Sequence, residues 1–492
     1  MIPAVTFAGA TVAVFGLGAS GVASCRALTA AGATVAAWDD GAATRASAEQ
    51  AGISLVDLSD ADWSVFRALV LAPGVPLTHP APHWTVKRAA DVGCPVIGDT
   101  ELMFQARAAA ERQPPIIAIT GTNGKSTTTA LTGHLLRTAG LTVGVGGNIG
   151  TAVMSLPPFA EVDTYVLEFS SYQIDLTPSL APTVGVHLNV TPDHLDRHGT
   201  LERYAAIKQR LVTSADAAVI AVDDDHTCAA SRACKAAGVP TVTVSTTGVS
   251  ATIAPSEDVS ASHFLIAASA VTGPPARFSV AASLALRGRH NMQNAMAAVA
   301  AVRAIGVTDD ALIQRGLDTF GGLAHRMQPI ARQGRVLFVN DSKATNAEST
   351  AQALAAYDAD IHWIVGGRAK DGGIDGLTPL FGRLARAYLI GESVPDFAAT
   401  LARAAPGVDV VDAGDIATAV ARAAAGAGSS SAAQPVVLLS PAAASFDQFA
   451  NFERRGDAFC AAVAALPDVT VFGEDAGQIA EPNAVGPTAN PT

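Results

Sequence analysis

AITGTNGKSTTTAL, residues 118–131, joins an apolar strand to a helix through a glycine turn. A loop that cradles a nucleotide needs inward backbone N–H groups, a lysine for the β/γ-phosphates and a hydroxyl for Mg2+. Gly121, Thr122, Asn123, Gly124, Lys125, Ser126, Thr127 and Thr128 offer all three. The loop is shorter than the common GxxxxGK[ST] pattern, because Ile119 stands where that pattern has its first glycine. The strand before and the helix after it predict ATP binding, with Mg2+ as the companion ion.

Outward from this loop the chain repeats strand, turn and helix, which predicts an α/β fold of parallel sheets with helices on both faces. Its 492 residues suit three domains. Residues 1–112 read as a Rossmann-like N-terminal domain that ends before Pro114-Pro115. Residues 113–330 read as a central P-loop-type ATPase domain with a mixed sheet, β-rich and partly antiparallel over 241–285. Residues 331–472 repeat the rhythm in VLFVND, IHWIVGG, AYLIG, VDVVD and PVVLLS, and read as a doubly wound Rossmann-like domain. Residues 473–492 lose apolar periodicity and read as a disordered tail.

The net charge is −12, from 32 basic and 44 acidic residues, which argues against a nucleic-acid binder but leaves room for an anionic small substrate held by local Lys and Arg. The five cysteines are scattered with no CxxC pair, which fits a reducing cytoplasm. The first 25 residues are uncharged, but they lack a basic leader and contain a glycine turn. They predict a strand–turn–helix, and no membrane span is expected.

That second glycine turn, Gly16-Leu17-Gly18-Ala19-Ser20-Gly21, is followed by Asp39 at the end of the next strand. Read alone, this is a dinucleotide fingerprint, and a nicotinamide-dependent dehydrogenase is one reading. Its physics is a pyrophosphate site at a helix N-terminus, open to any nucleotide diphosphate. A tight turn with no ligand is the plain alternative.

Glu168 closes the strand YVLEF, where its carboxylate could hold Mg2+ beside the phosphate loop. NVTPDHLDRHG places Asp193, His194, Asp196 and His198 in one loop, and Tyr204 and Lys208 follow at i, i+4. GRHNMQNAM sets Asn291 and Asn294 at i, i+3 near a helix start, where Asn291 could be only an N-cap. Arg326 lies in LAHRMQPI, Asp341, Lys343 and Thr345 in VNDSKATN, and Arg368 and Lys370 in VGGRAKDGG. Ser445 and Phe446 lie in LSPAAASFDQFANFERRG. Each of these, taken singly, is an ordinary polar loop or helix surface.

Together they resemble the Mur ligases of bacterial cell-wall synthesis, over about residues 5–470. GTNGKST is similar to that family's short phosphate loop. DSKATN and SPAAASFDQF resemble the branch that takes D-glutamate. Sister branches carry a DDYAHHP-, DYAHTP- or DDYNANP-like stretch in place of NDSKATN. Folylpolyglutamate synthetases share the short loop but neither motif.

The resemblance implies an ATP-dependent amide ligase of peptidoglycan precursor synthesis. It would add D-glutamate to UDP-N-acetylmuramoyl-L-alanine through an acyl phosphate. The alternative is a Mur-type or folylpolyglutamate-type ligase with a different acceptor amino acid. The resemblance implies Lys125, Glu168, His194 and Lys208 as catalytic residues. It implies Ser126, Glu168 and His194 as Mg2+ ligands, joined by Lys208 if that lysine is carbamylated. Asn291, Asn294, Arg326, Asp341 and Lys343 would face the nucleotide. Gly18, Ala19, Ser20, Gly21, Asp39, Asp40 and Asn148 would contact the UDP-substrate. Thr345, Lys370, Ser445, Phe446 and Phe452 would shape the D-glutamate pocket. The chain departs from the family at Asp40-Gly41, where Thr-Arg is frequent, and at Ala72, where Ser is frequent. A cytoplasmic monomer whose domains close on their ligands is the accompanying expectation.

Overall fold

The computed structural model describes residues 1–247, 251–255, 262–370 and 372–472. The tail expected at 473–492 lies outside the described residues. Two compact units form: residues 1–279 with 292–317, and residues 280–291 with 318–472.

The first unit contains two sheets. One has four parallel strands in the order Thr34–Trp38, Thr11–Phe15, Phe66–Leu71 and Val96–Ile97. The helix Ala19–Ala30 lays Ala23, Cys25, Ala27 and Leu28 into the core beside it. Small residues let that helix approach the sheet closely, which accounts for the alanine-rich sequence.

The other sheet is centred on Ile116–Thr120, whose five residues are all buried. A strand covered on both faces reads as an unbroken apolar run rather than an alternating one. Its parallel neighbours are Val184–His187 on one side and Thr164–Glu168 on the other. The carboxyl ends of the three strands therefore bring the 121–128 loop, His187 and Glu168 to one end of the sheet. At the far edge Ile253–Pro255, His263–Ile266 and Ala276–Ser279 run antiparallel, so the sheet is mixed as expected.

The second unit has a seven-stranded sheet in the order Asp409–Gly414, Leu384–Ile390, Ile361–Gly366, Val436–Leu439, Val336–Asn340, Gln328–Gln333 and Thr470–Val471. The first five are parallel, and the last two add an antiparallel edge. The expected break at 330/331 falls inside the strand Gln328–Gln333. Among the described residues no helix is long and apolar enough to cross a membrane.

Candidate active site

The phosphate loop is built by two glycines and one asparagine. Gly121 and Gly124 take φ of +156° and +83°, which side chains disfavour. A Cβ at Gly124 would also overlap Asn294 Oδ1. Asn189, at the end of the neighbouring strand, accepts from Thr122 N and Asn123 N at 3.1 and 2.8 Å. Its Nδ2 donates to the Asn123 carbonyl at 3.1 Å, so one side chain clamps both sides of the turn. The helix Lys125–Thr138 starts immediately after, and its N-terminal amides and dipole favour an anion there. Lys125 Nζ is held over the loop by the Gly121 and Thr122 carbonyls at 3.0 and 2.7 Å. Thr128 Oγ1 donates to Asn294 Oδ1 at 3.2 Å, which ties the expected Asn294 to this loop.

Glu168 is 2% exposed. Its Oε1 accepts from Asn148 Nδ2 at 2.9 Å, bringing two expected residues together. Its Oε2 is buried with no hydrogen-bond partner among the described residues. A buried carboxylate oxygen left unpaired is costly unless a cation or donor meets it. Ser126 is buried on the first turn of the adjoining helix. Among the described residues no three His, Cys, Asp or Glu side chains converge as a metal cage. One carboxylate beside a hydroxyl and a phosphate cradle fits Mg2+, which keeps waters and phosphate oxygens as ligands.

Lys208 lies on the helix Leu201–Thr213 and is 1% exposed. Its Nζ donates to the Gly121 carbonyl at 2.7 Å and to Thr120 Oγ1 at 3.2 Å, and sits 4.7 Å from the Tyr204 ring centre. No carboxylate among the described residues forms an ion pair with it. Burial, reinforced by the charge of Lys125, lowers its pKa well below the ordinary lysine value. The lysine that i, i+4 spacing alone would leave on the surface is thus a buried, desolvated amine.

His194 adopts a left-handed backbone, φ 53°, at the start of a short helical turn. Its half-exposed ring lies 5.1 Å from Tyr172 and 3.4 Å from Asp193 Oδ2. His198 of the same loop is instead buried. It bonds Ser171 Oγ at 2.8 Å and stacks on Tyr172, and burial pushes its pKa down to about 4. Only His194 of that pair is open to a ligand.

The N-terminal turn needs its glycines for a different reason. A Cβ at Gly21 would overlap the Gly16 carbonyl oxygen, and one at Gly16 would meet Ala72 Cβ at 2.5 Å. Asp39 engages both oxygens with backbone N–H groups, Leu17 N in the turn and Gly41 N at the start of the next helix, each at 2.8 Å. Asp40 instead accepts from His83 Nε2 at 3.1 Å and from Trp84 Nε1 at 3.3 Å. Arg45, which sequence reading passed over, donates to the Asp39 and Asp40 carbonyls and lies 4.5 Å over the Trp38 ring. Gly18, Ala19 and Ser20 form the helix start at this turn. Arg197 donates to the Gly74 and Val75 carbonyls at 2.8 Å each, linking the His194 loop to the loop beside that turn.

In the second unit Asn291 lies inside the helix Arg289–Ala304, not at its N-cap as the local pattern allowed. Its Nδ2 donates to the Ala285 and Arg287 carbonyls at 3.2 and 3.0 Å. Asp341 Oδ2 accepts from Ser440 Oγ at 2.8 Å and Oδ1 from Met327 N at 3.1 Å, beside Arg326. Burial raises its pKa to about 7. The Lys343 Nζ lies 4.7 Å from the Phe452 ring centre. Arg368 and Ala444 exchange backbone hydrogen bonds at 2.8 and 2.9 Å, which brings the loops bearing Lys370 and Ser445 side by side. Ser445 Oγ is buried with no partner among the described residues, while Lys370 and Phe446 are exposed and Thr345 is half-buried. Arg455 was missed by sequence reading. It is 1% exposed and donates to Ser342 Oγ and to the Ser342 and Ala443 carbonyls. In ERRG it reads as a surface charge, and no local signal distinguishes it.

A short phosphate loop, an unpaired carboxylate and a buried lysine on a parallel sheet, with a second α/β unit, define an ATP-dependent ligase. The chain belongs to the Mur ligase family: the model of the Mur ligase middle domain matches residues 119–302. The Mur ligase, glutamate ligase domain matches residues 325–443. The UDP-N-acetylmuramoylalanine–D-glutamate ligase of Brucella abortus is 50% identical over 473 residues, covering 95% of this chain and 98% of the relative. The same-named ligase of Chelativorans sp. is 52% identical over 474 residues, covering 96% and 99%. In fold, the chain is similar to the UDP-N-acetylmuramate-alanine ligase of Thermotoga maritima. That match has a TM-score of 0.56 and 16% identity, over 92% of this chain and 98% of that one. MurF from Acinetobacter baumannii matches with a TM-score of 0.54 and 19% identity, over 75% and 82%. The dehydrogenase reading of residues 16–39 ends here.

Proposed function

We propose that this chain joins D-glutamate to UDP-N-acetylmuramoyl-L-alanine with consumption of ATP, in peptidoglycan precursor synthesis. A carboxylate is a poor acyl donor because its leaving group would be oxide. Transfer of the γ-phosphoryl group to the carboxylate of the L-alanine residue gives an acyl phosphate. The amine of D-glutamate then attacks the acyl carbon; the C–N bond forms, the acyl C–O bond breaks with its electron pair on the departing phosphate, and the nitrogen loses a proton to water.

The protein's work is positioning and charge neutralisation. Lys125 and the amides of 121–128 hold the β/γ-phosphates. Mg2+ would supply neutralisation of the phosphate oxygens; Ser126 and Glu168 would hold one ion and His194 a second, with carbamylated Lys208 as a further ligand. The residue set 16–21 with Asp39 and Asp40 takes the UDP pyrophosphate and uridine, and Asn148 reaches the substrate from beside Glu168. Asn291, Asn294, Arg326, Asp341 and Lys343 face the nucleotide. Thr345, Lys370 and Ser445 meet the two carboxylates of glutamate, and Phe446 and Phe452 wall the pocket. In this reading residues 1–112 bind the UDP-substrate, 113–330 ATP and 331–472 the amino acid.

Lys208 carries a carbamate. A neutral buried amine keeps its lone pair, which attacks CO2; an N–C bond forms, one C–O π pair moves onto oxygen, and a proton leaves to water. The neutral amine is thereby replaced by an anionic metal ligand. A cytoplasmic monomer completes the proposal, and light scattering tests its mass.

The observation that carries the reading is the unpaired Glu168 oxygen beside a lysine-bearing phosphate loop. The test is ATP-dependent phosphate release with UDP-N-acetylmuramoyl-L-alanine and, in turn, D-glutamate, L-glutamate, L-alanine and a diamino acid. Release with D-glutamate alone is expected. Release with another amino acid overturns the acceptor assignment, and release with none overturns the ligase reading.

A further inference from the structure

His187 ends the strand Val184–His187 and is 1% exposed. Neither ring nitrogen has a hydrogen-bond partner among the described residues. An imidazole with both nitrogens unpaired in a core is costly, and leucine or isoleucine would fill the place without that cost. The pairing register explains where it points. His187 is the parallel-strand partner of Thr120. Register partners on adjacent strands are about 4.8 Å apart and direct their side chains to the same face. Lys208 Nζ donates to Thr120 Oγ1 on that face, at 3.2 Å. The imidazole and the lysine head therefore share one buried spot, close but not in hydrogen-bond contact. Burial, with the charges of Lys208 and His226 nearby, lowers the His187 pKa to about 3. The ring is neutral, and a neutral ring presents one N–H and one lone pair.

We propose that His187 is a positioning residue that donates its ring N–H to the carbamate formed on Lys208. This rests on the carbamate reading above. A carbamate extends the side chain beyond Nζ and adds two acceptor oxygens, which supplies the acceptor that His187 lacks. A hydrogen bond to that anion favours the modified lysine over the free amine and turns its oxygens to one orientation.

The experiment uses the full chain equilibrated with 13C-bicarbonate at a series of CO2 levels. The carbamate signal is read by 13C NMR for the parent, His187→Leu and His187→Gln. His187→Leu is expected to need about tenfold more CO2 for half-occupancy, the size of one charge-assisted hydrogen bond. Its KM for ATP should be unchanged and its lowered kcat restored by added bicarbonate. His187→Gln, which keeps an N–H of similar reach, should stay within about threefold of the parent. Equal occupancy in parent and leucine variant overturns the role of His187 alone. Equal loss in both variants also overturns it, because a packing defect would then be the cause. A parent with no carbamate at any CO2 level overturns the carbamate reading, and the proposal with it.

Discussion

Two glycine turns in this chain look alike as sequence and differ in what their carboxylates do. Each follows a buried strand and opens a helix, at 16–21 and at 121–128. At the first, Asp39 gives one oxygen to Leu17 N of the turn and the other to Gly41 N just beyond its own strand, so both are engaged. At the second, Glu168 keeps one buried oxygen without a partner among the described residues, and Lys125 sits inside the loop. An acid whose two oxygens are already taken by backbone N–H groups has no spare acceptor for a cation. A turn with a spare carboxylate and a lysine is built for a cation and for charge that moves. In the proposed function the same local motif serves binding in one place and phosphoryl transfer in the other.

Lys125→Ala is the strongest test of that contrast. We expect phosphate release to fall by at least about 10³-fold, with UDP-substrate affinity by calorimetry unchanged. Loss of both together would break the division between the turns. Glu168→Gln should lower activity by about 10²-fold and raise the Mg2+ concentration needed for half-maximal rate. An unaltered Mg2+ titration would remove Glu168 from the cation site.

Gly21→Ala works on the other turn. The added Cβ displaces the Gly16 carbonyl, so KM for the UDP-substrate should rise by about tenfold while KM for ATP stays level. Asp39→Asn retains one acceptor and should cost about 1.5 kcal/mol of stability in urea melts, with a small effect on kcat.

The smallest effect concerns Asp99, whose buried carboxyl lines the same small recess as Ser20, Gly21 and Ala72. Burial raises its pKa from 3.8 to about 6. The folded state therefore binds the proton more tightly than the unfolded chain, and this group's contribution to stability is greatest at low pH. It is lost as pH rises from about 4 through 6. Asp99→Asn should gain on the parent in melting temperature above pH 6 and not at pH 4.

Much of this was legible in the chain. The apolar runs at 116–120 and 336–341 marked buried parallel strands, and the glycines with Lys125 and Ser126 marked a phosphate cradle. These are local properties: periodicity, turn chemistry and a motif whose members lie within eight residues. Asn189 was within reach, as a polar residue at a strand's carboxyl end beside the loop, but its double clamp on 122 and 123 needed the sheet order.

The residues themselves determined a parallel α/β chain with two phosphate-type turns, and their joint pattern placed it among the Mur ligases. Only the tertiary structure decided which polar groups are unpaired. Lys208 and Arg455 read as surface charges in their helices, yet both are buried, because burial depends on what other elements cover them. His194 and His198 are four residues apart and look equivalent, but packing on Tyr172 and Ser171 buries one and leaves the other open. The unpaired nitrogens of His187 and the unpaired oxygen of Glu168 follow from which elements pack over each strand end, and the register sets them beside Thr120 and Ile119, residues far away in sequence. A sequence lists donors and acceptors; the fold settles which of them remain for a ligand.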